Sequence, residues 1–256
     1  DMMQAKWGSH GSYEIIALSP SSPQEFFEQT IKAFNLAEEF RTPVIILADE
    51  VVGHMSEKVV FPPLQSLKIV ERKFSRLTPE EYFPFQANGN NVQEMVKAGE
   101  GYRIHVTGST HDYRGYPYMT AEAQANLIPR LVNKIRDKKS ELTDVREIEC
   151  ENAEVIVVAY GITARTSFYS IELAHKSGIK VGQIKLNLVW PFPDEIIRKW
   201  AGKVKALVVP EINMGQMVLE VERAARGKCE VVSVPHPGGD IHSPESILEA
   251  IKKSIK

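Results

Sequence analysis

The chain is poor in cysteine. It has only two, Cys150 and Cys229, and no Cys-x-x-Cys pair in 256 residues. Two isolated thiols fall short of the four thiolates that hold an iron–sulfur cluster, and they imply no disulfide framework. The sequence therefore excludes a thiolate-rich cluster held by this chain alone, and a reducing cytoplasm is the expected location.

Long apolar runs and an excess of one charge are also absent. The longest apolar stretches, such as residues 155–160 and 204–210, are the length of a strand, whereas a membrane-spanning helix needs about 20 apolar residues. The 31 basic and 33 acidic side chains give a net charge of −2, which argues against nucleic acid or a membrane as the main partner. A chain of 256 residues fits one or two domains with a sizeable core.

Common catalytic and cofactor signatures are missing as well. The seven histidines form neither a His-Glu-x-x-His motif nor a cluster with cysteine, so no metal site is predicted. The chain has no Gly-x-Ser-x-Gly elbow, no Gly-x-Gly-x-x-Gly loop and no Walker lysine. It begins at Asp1 without the charged leader and apolar segment of a signal peptide. We expect it to begin inside a domain whose first part is missing.

The first sixty residues predict one βαβ-like unit. A short strand is predicted over residues 14–18 and a helix over 24–40. The apolar run 43–48 is typical of a strand buried on both faces of a parallel sheet. Asp49 and Glu50 follow this strand directly, at the sheet edge where ligands bind in open α/β folds.

The start and the apolar face of the predicted helix can be read from its side chains. Ser22, followed by Pro23 and by Glu25 at the third helical position, predicts an N-cap with a capping box. Phe27 and Phe34 lie at helical spacing with Ile31, Ala33 and Phe40, and they predict the buried face.

The middle of the chain predicts little regular structure. Prolines and an asparagine–glycine stretch over residues 57–100 favour an extended connector that packs across the surface or reaches a partner. Residues 102–107 alternate like a strand. A charged helix is predicted over 120–142, with Pro129 expected to kink it or to start a second segment.

The last block alternates clearly between strands and helices. Strands are predicted over residues 153–160, 179–188, 205–209 and 229–234, and helices over 163–177, 193–201, 214–225 and 244–254. This alternation predicts a parallel sheet covered on both faces, with right-handed crossovers.

Residues 105–117 form the most polar loop of the chain, with two histidines, an aspartate, an arginine and two tyrosines. A core cannot bury so many polar groups without a partner for each. His111, Asp112 and Arg114 are candidate ligand-binding residues, because arginine suits a carboxylate or a phosphate and Asp112 could hold one tautomer of His111. His10 and His54, which also lie in glycine-containing polar loops, are further candidates. The structural alternative is that Asp112 and Arg114 pair and brace the loop.

Two strand ends in the last block offer other candidates. Residues 161–165 begin a helix at a place suited to an anion, with Thr163 as a simple N-cap the preferred alternative. At the end of the third strand, the sequence predicts either an interface or plain helix capping by Asn213. The interface candidates are Glu211, Asn213, Met214, Gln216 and Met217, in which the two methionines form an adaptable apolar patch.

Seven segments together resemble the alpha subunit of 2-oxoacid:ferredoxin oxidoreductases, particularly the 2-oxoglutarate type. They cover nearly the whole chain in the same order as in that family. The segments are residues 7–11 (WGSHG), 14–20 (EIIALSP), 46–55 (ILADEVVGHM), 105–117 (HVTGSTHDYRGYP), 189–193 (VWPFP), 209–217 (VPEINMGQM) and 220–225 (EVERAA).

The resemblance implies an α/β fold with three parts. Residues 1–60 are expected to be the back half of a thiamine-diphosphate pyrimidine-binding domain, and residues 61–145 a connector with a strand, the polar loop and a helix. Residues 146–256 are expected to be a parallel α/β domain like the transketolase C-terminal domain.

The resemblance also implies an activity that needs a partner. Such enzymes decarboxylate a 2-oxoacid, pass the acyl group to coenzyme A and send two electrons to ferredoxin. Thiamine diphosphate and Mg²⁺ are shared with a beta subunit, whose side also carries the iron–sulfur cluster. In that family the contacts to the thiamine ring lie in the first part of the alpha subunit, which this sequence does not contain, so this chain is expected to hold no catalytic residue itself. Its candidate residues would bind 2-oxoacid or coenzyme A. A non-catalytic binding or assembly module on the same fold remains the alternative.

Overall fold

A computed structural model describes residues 1–87 and 89–255. The helices are α1 (Met2–Trp7), α2 (Pro23–Phe40), α3 (Glu50–His54), α4 (Ala121–Arg136), α5 (Lys139–Leu142), α6 (Gly161–Lys176), α7 (Asp194–Ala201), α8 (Met217–Ala225) and α9 (Pro244–Lys253). The strands are β1 (Ile16–Leu18), β2 (Val44–Ile46), β3 (Val145–Ile148), β4 (Val155–Tyr160), β5 (Val181–Leu186), β6 (Leu188–Trp190), β7 (Ala206–Glu211) and β8 (Glu230–Pro235).

The larger sheet has five strands in the order β3-β5-β4-β7-β8. Four of them are parallel, as the alternation of strands and helices predicts. The predicted elements do not include β3, which pairs antiparallel with β5 at the edge of the sheet. Its sequence is Val-Arg-Glu-Ile, in which two of the four residues are charged and none is buried. The apolar pattern that identifies buried strands is therefore missing.

Both faces of this sheet are buried. Successive side chains of a strand point to opposite sides, so alternate residues of one strand belong to different clusters. Ile156 and Val158 of β4 lie in the cluster that contains Trp200 of α7 and Met217 of α8. Val155, Val157 and Ala159 face the other way and pack in a cluster with α6 and α9. Burying each such aliphatic side chain stabilises the fold by about 1.5–3 kcal/mol.

The smaller sheet has three strands in the order β2-β1-β6. β1 pairs parallel with β2 and antiparallel with β6. The strand predicted over 179–188 is therefore two strands. The break lies at Asn187, whose amide Nδ2 donates to the carboxylate of Asp144 at 3.0 Å and whose carbonyl accepts from the backbone of Ser19 at 2.9 Å. These bonds turn the chain from one sheet into the other.

Strand β2 is only half-buried over its whole length, so the prediction that it is buried on both faces was wrong for the described residues. β1 is the strand of this sheet with both faces in the core, since Ile16 and Leu18 pack on α2 while Ala17 packs with Trp190. The apolar run of β2 reflects its contact with β1 and α2 on one side.

Helix α2 begins as predicted, but the face that packs on the core differs from the predicted one. Ser22 accepts from the backbone of Glu25 at 3.2 Å, which confirms the N-cap. The carboxylate of Glu25 bonds the backbone and hydroxyl of Ser21 instead of closing a box on Ser22. Ala33, Leu36 and Phe40 face the core.

The predicted buried face of α2 was therefore partly wrong. Phe34 is 71% exposed. Phe27 packs edge-to-face on Phe61, with ring centroids 4.9 Å apart. Apolar spacing alone does not distinguish the stripe that contacts the sheet from the one that lies under the connector, because both stripes lie on the same amphipathic helix.

The predicted lack of long regular elements over residues 57–100 is confirmed for the described residues, and it extends over the whole stretch between α3 and α4. Among the described residues of this stretch the regular structure is one 3₁₀ turn, Leu64–Ser66, and two isolated bridges. The strand predicted over 102–107 is wrong. Ile104 and Val106 are 43% and 63% exposed, so its alternation does not correspond to a buried face. Helix α4 runs through Pro129 without ending there, with Thr120 as its N-cap.

Candidate functional site

The carboxyl end of β7 carries a fully buried carboxylate. Glu211 is 0% exposed, and its two oxygens accept from the backbone N–H groups of Gln216, Met217 and Val218 at 2.9–3.0 Å. These are the free donors at the start of α8, where the helix dipole favours a negative charge. Glu211 therefore caps α8 from inside the chain.

Tyr160, at the end of β4, completes this buried cluster. Its hydroxyl donates to Glu211 Oε1 at 2.7 Å, and Asn213 Nδ2 donates to the Tyr160 oxygen at 3.3 Å. Burial, followed by the neighbouring charge of Glu211, raises the pKa of Tyr160 well above its ordinary value. The hydroxyl thus stays protonated and serves as a permanent donor.

The predicted interface residues separate into buried and exposed ones. Glu211 and Met217, which is 1% exposed, lie inside the chain. The predicted patch of two surface methionines was wrong, because only Met214 is exposed, at 73%. Gln216 accepts from the backbone of Met3 at 3.1 Å, so it ties α1 to α8. Asn213 accepts from Gly215 N–H at 2.7 Å and shapes the turn before the helix.

The anion expected at the start of α6 is a side chain of the protein itself. Asp49 Oδ2 accepts from the backbone N–H of Ile162 at 2.6 Å. Gly161 has φ +52°, and a Cβ at this position would lie 2.1 Å from Asp49 Oδ2. The glycine is required both by its backbone conformation and by the approach of the carboxylate.

Thr163 does not act as the N-cap that the sequence favours. Its hydroxyl donates to the carbonyl of Tyr160 at 2.7 Å, and Tyr160 is the N-cap residue. The carboxylate of Asp49, just after β2, therefore takes the place of a side-chain cap from α6 itself. This hydrogen bond joins the first sixty residues to the last block.

Asp49 is expected to make the stability of the chain pH-dependent. Burial raises its pKa above the ordinary value of 3.8, opposed by the bond from Ile162. The folded state thus binds more protons, and stability from this group is complete below the unfolded pKa and lost as pH rises through the folded pKa. Asp49→Asn keeps an acceptor for Ile162 without a charge, so it should remove this part of the pH dependence.

Urea unfolding of the wild type and Asp49→Asn, measured in steps upward from about pH 4, checks the expected difference. The exposed Asp137→Asn is the matched control and should follow the wild type. Parallel curves for wild type and Asp49→Asn would contradict this role for the Asp49 charge.

The polar loop is folded around Gly115. Its φ is +92°, and a Cβ there would lie 1.9 Å from the carbonyl oxygen of His105. His105 Nδ1 donates to the carbonyl of Gly115 at 2.6 Å, and its ring stacks on Tyr116 with centroids 4.9 Å apart. These contacts bring the two ends of the loop together without a strand.

Asp112 and Arg114 have the geometry of a brace. Asp112 Oδ1 accepts from the backbone of Arg114 at 2.9 Å and of Tyr116 at 3.2 Å. Its Oδ2 accepts from Arg114 Nε at 2.9 Å. These bonds lower the pKa of Asp112 against the opposing effect of desolvation, which is the largest single influence. The structure therefore shows the pairing that was the alternative to ligand binding.

His111 lies at a surface pocket of about 360 Å³ between the loop and α4. Its Nδ1 donates to the carbonyl of Ser109 at 2.7 Å, so Asp112 does not set its tautomer as proposed from the sequence. Its Nε2 has no partner among the described residues. With the proton on Nδ1, Nε2 is an acceptor. Its ring lies 4.0 Å from that of Phe85.

Arg130 of α4 reaches the same pocket, and the sequence analysis did not single it out. Lys134 lies one turn further along the helix and is 7% exposed. The available signal was the pair of cations at i and i+4 on a helix that also had to bury one face. Arg114, by contrast, is not among the residues that line this pocket.

The other two candidate histidines lie elsewhere on the surface. His10 is exposed in the loop after α1. His54 ends α3 with its side chain 80% exposed and 3.7 Å from Glu50. Neither shares a hydrogen bond with His111 among the described residues, so the structure does not join them into one site.

Residues 1–87 and 89–255 contain no group of three or more His, Cys, Asp or Glu side chains that could hold a metal ion. No helix within these ranges is long and apolar enough to cross a membrane. Burial raises the pKa of Cys150 to about 11, so its thiol is protonated at neutral pH.

Two family models match the chain. Residues 1–128 match the thiamine-diphosphate-binding domain of pyruvate flavodoxin/ferredoxin oxidoreductase. Residues 153–247 match core domain II of pyruvate:ferredoxin oxidoreductase. The predicted class, a partial thiamine-diphosphate-binding fold followed by a parallel α/β domain, is confirmed. The finer boundaries at residues 60 and 145 stay predictions.

Curated relatives match along almost the entire chain. The 2-oxoglutarate synthase subunit KorA of Methanothermobacter thermautotrophicus is 47% identical over 99% of this chain and 67% of its own length. The subunit of the same name from Methanocaldococcus jannaschii is 45% identical over 98% of this chain and 67% of its own length.

A solved structure shares the fold. It is the 2-oxoglutarate:ferredoxin oxidoreductase from Magnetococcus marinus with 2-oxoglutarate, coenzyme A and succinyl-CoA bound. The match has a TM-score of 0.89 and 23% identity, and it covers 100% of this chain and 45% of that one. This match shows the fold. The two family models and the curated relatives show that the chain belongs to the family of 2-oxoacid:ferredoxin oxidoreductase alpha subunits, of the 2-oxoglutarate type.

Proposed function

We propose that this chain is part of an enzyme that oxidatively decarboxylates 2-oxoglutarate to succinyl-CoA and carbon dioxide, with two electrons passed to ferredoxin. The observation that carries the proposal is the 47% identity to a 2-oxoglutarate synthase subunit over 99% of the chain. The enzyme is proposed to work in the cytoplasm, with a beta subunit and ferredoxin as its protein partners.

The cofactors divide between the chains in this proposal. The match of residues 1–128 to a thiamine-diphosphate-binding domain supports a shared thiamine site. The described residues offer no group of three or more His, Cys, Asp or Glu side chains that could hold Mg²⁺ or an iron–sulfur cluster. We therefore assign Mg²⁺ and the cluster to the partner. Thiamine diphosphate supplies the carbanion chemistry of decarboxylation when bound.

Exposed apolar side chains mark where a beta subunit would contact this chain. Phe61 and Leu64 of the connector are 70% and 79% exposed, and Met214 is 73% exposed. Apolar side chains of this size are enriched in the centres of interfaces. The connector and the loop around Met214 are the proposed contact surfaces.

The pocket at His111 is proposed to bind part of coenzyme A. It is lined by a cation, Arg130, and by His111, whose buried Nε2 is an acceptor without a partner among the described residues. Coenzyme A carries both phosphates and N–H or O–H donors, whereas ionised 2-oxoglutarate carries acceptors alone. The pairing of a cation with an acceptor thus fits coenzyme A better.

Activity of the assembled enzyme tests the proposal directly. The full-length alpha subunit, co-expressed with its beta partner, should reduce ferredoxin with 2-oxoglutarate and coenzyme A, and kcat/KM for pyruvate should be much lower. An assembled complex that turns over no 2-oxoacid would favour the non-catalytic module instead. Ferredoxin reduction that does not depend on coenzyme A would contradict the proposed acyl transfer to coenzyme A.

His111 and Arg114 are expected to differ in their effect on that activity. His111→Ala should raise KM for coenzyme A about three- to tenfold, which is the value of one neutral hydrogen bond. KM for 2-oxoglutarate should be unchanged. Arg114→Ala is the matched control in the same loop, and we expect it to leave both constants within twofold because Arg114 faces Asp112. A rise in KM with Arg114→Ala alone would transfer the binding role to Arg114.

A further inference from the structure

Three cations lie together where helix α2 ends against α4. Arg41 follows the last residue of α2 in the left-handed conformation, with φ 45°. Its carbonyl accepts from Lys134 Nζ at 3.1 Å, and its guanidinium donates to the carbonyl of Pro84 at 3.2 Å. Arg130 donates to the side-chain oxygen of Gln93, when that amide is oriented to satisfy both groups.

This cluster, Arg41–Arg130–Lys134, is uncompensated. None of the three forms an ion pair within 4.0 Å in the part of the chain that the structure describes, whereas most of the other buried or half-buried cations there are paired, such as Lys6 with Glu14. Burial, followed by the charges of Arg130 and Arg41, lowers the pKa of Lys134 to about 8. Burial and Arg41 also lower the pKa of Arg130.

Such an arrangement is unfavourable by itself. Buried charges normally have a partner of opposite sign, because removing a charge from water costs several kcal/mol. Here the three positive groups repel one another and have neutral carbonyl or amide oxygens as their partners. The part of the chain that the structure describes therefore holds three neighbouring positive groups that have no ion-paired anion.

The cluster is accessible from two sides. Arg130 lies at the 360 Å³ pocket that also contains His111. Arg41 lies at a neighbouring groove of about 520 Å³, and Gln93, which contacts Arg130, lines that groove as well. The carboxylate of Glu38 in the groove is already bound to Arg72 at 2.6 Å. The groove is also lined by Glu39, Glu71 and Glu94, and the His111 pocket by Glu122. Lys134 lines neither cavity and lies behind Arg41 and Arg130. Since none of the three cations has an ion-pair partner among the described residues, a small anion can bind them without displacing one.

We propose that Arg41, Arg130 and Lys134 form a binding site for a phosphate group. A phosphate monoester carries close to two negative charges at neutral pH and three strong acceptor oxygens. A single carboxylate would offset only one of the three cations. Arginine provides a planar fork for phosphate, and lysine provides a point charge beside it. The phosphate is either free inorganic phosphate or a phosphate of coenzyme A, and the second source rests on the proposed function.

Titration calorimetry of the assembled enzyme with inorganic phosphate, coenzyme A and 3′-dephospho-coenzyme A tests the site. Binding of a phosphate next to Lys134 raises the affinity of its amine for a proton. Because burial and the neighbouring charges lower the pKa of Lys134 to about 8, we expect binding at pH 8 to take up a fraction of a proton, seen as a difference in heat between buffers of unequal ionisation enthalpy. Arg130→Gln should weaken binding about tenfold or more, the value of one charged hydrogen bond. Arg76→Gln, an exposed arginine, is the control and should change nothing.

Lys134→Met separates binding from folding. Removing a buried unpaired charge should leave the ligand-free enzyme as stable as the wild type or more so. The same variant should lose the proton uptake and bind phosphate about tenfold more weakly or worse. A merely structural lysine would show the opposite pattern, with a lower melting temperature and unchanged phosphate binding, and this result would overturn the proposal.

The three ligands identify the source of the phosphate. Tighter binding of coenzyme A than of the 3′-dephospho form, with the difference lost in Arg130→Gln, assigns the site to the 3′-phosphate. Binding of inorganic phosphate that coenzyme A does not displace assigns the site to free phosphate. That assignment holds even if the enzyme proves inactive with 2-oxoacids. The proposal fails if none of the three binds in a manner that depends on the cluster. It also fails if Arg130→Gln only dissociates the subunits, since a partner carboxylate would then cover the cations.

Discussion

Glu211→Ala is expected to destabilise the chain by about 3–5 kcal/mol. The substitution leaves the N–H groups of Gln216, Met217 and Val218 without their acceptor at the buried start of α8. It also removes the acceptor of the Tyr160 hydroxyl. Urea unfolding should show a lower midpoint, and hydrogen exchange should show faster exchange at the first turn of α8.

Two further variants define the cause. Glu211→Gln keeps one oxygen and turns an NH₂ group toward backbone donors, so it should be destabilising and milder than Glu211→Ala. Glu222→Gln removes an exposed carboxylate from the same helix and should change stability by less than about 0.5 kcal/mol. If Glu211→Ala behaves like Glu222→Gln, the buried carboxylate is not what holds the start of α8.

Gly161→Ala has the second large expected effect, a loss of about 3–5 kcal/mol. A methyl group there meets positive φ and would lie 2.1 Å from Asp49 Oδ2. The carboxylate must move away and release Ile162 N–H. Gly178→Ala is the matched control, because Gly178 has φ +80° with no atom within 4 Å of its ideal Cβ. It should cost only about 1–2 kcal/mol, the strain of the left-handed conformation.

A double variant separates the clash from the backbone strain. Asp49→Ala removes the carboxylate that the new methyl group would meet, so Gly161→Ala should cost less in that background, by roughly 1–3 kcal/mol. Additive losses in thermal or urea unfolding would show that the strained backbone alone is responsible.

Strands β4, β7 and β8 of the last block could be predicted well from the sequence because each is a short, mainly apolar run followed by a helix. The helix predicted over 163–177 ends at Lys176, and Gly178 follows it with φ +80°. The same rules failed for residues 102–107, where alternation was read as a strand. Alternation predicts a strand only when one face is buried, and that depends on a partner strand distant in sequence.

The candidate site could be located in part. The polar loop was identified correctly as an unusual surface feature, and the pairing of Asp112 with Arg114 was one of the two alternatives. Arg130 and Lys134 could not be identified, because their importance comes from Arg41 and Gln93, which lie far along the chain. Likewise, Glu211 was placed at an interface because sequence spacing does not show whether a strand-end carboxylate faces solvent or a helix start.

Strand β6 belongs to the smaller sheet with β1 and β2, although it is far from them in sequence, and this has a consequence for the order of folding. β1 pairs with β6, and the Trp190 indole donates to the carbonyl of Met2, 188 residues away in sequence. Until β6 has been synthesised, one edge of β1 has no partner, and open strand edges promote association between chains. During translation, the edge of β1 that pairs with β6 therefore stays exposed until β6 leaves the ribosome. The need for chaperones should be greatest before residue 190 has emerged.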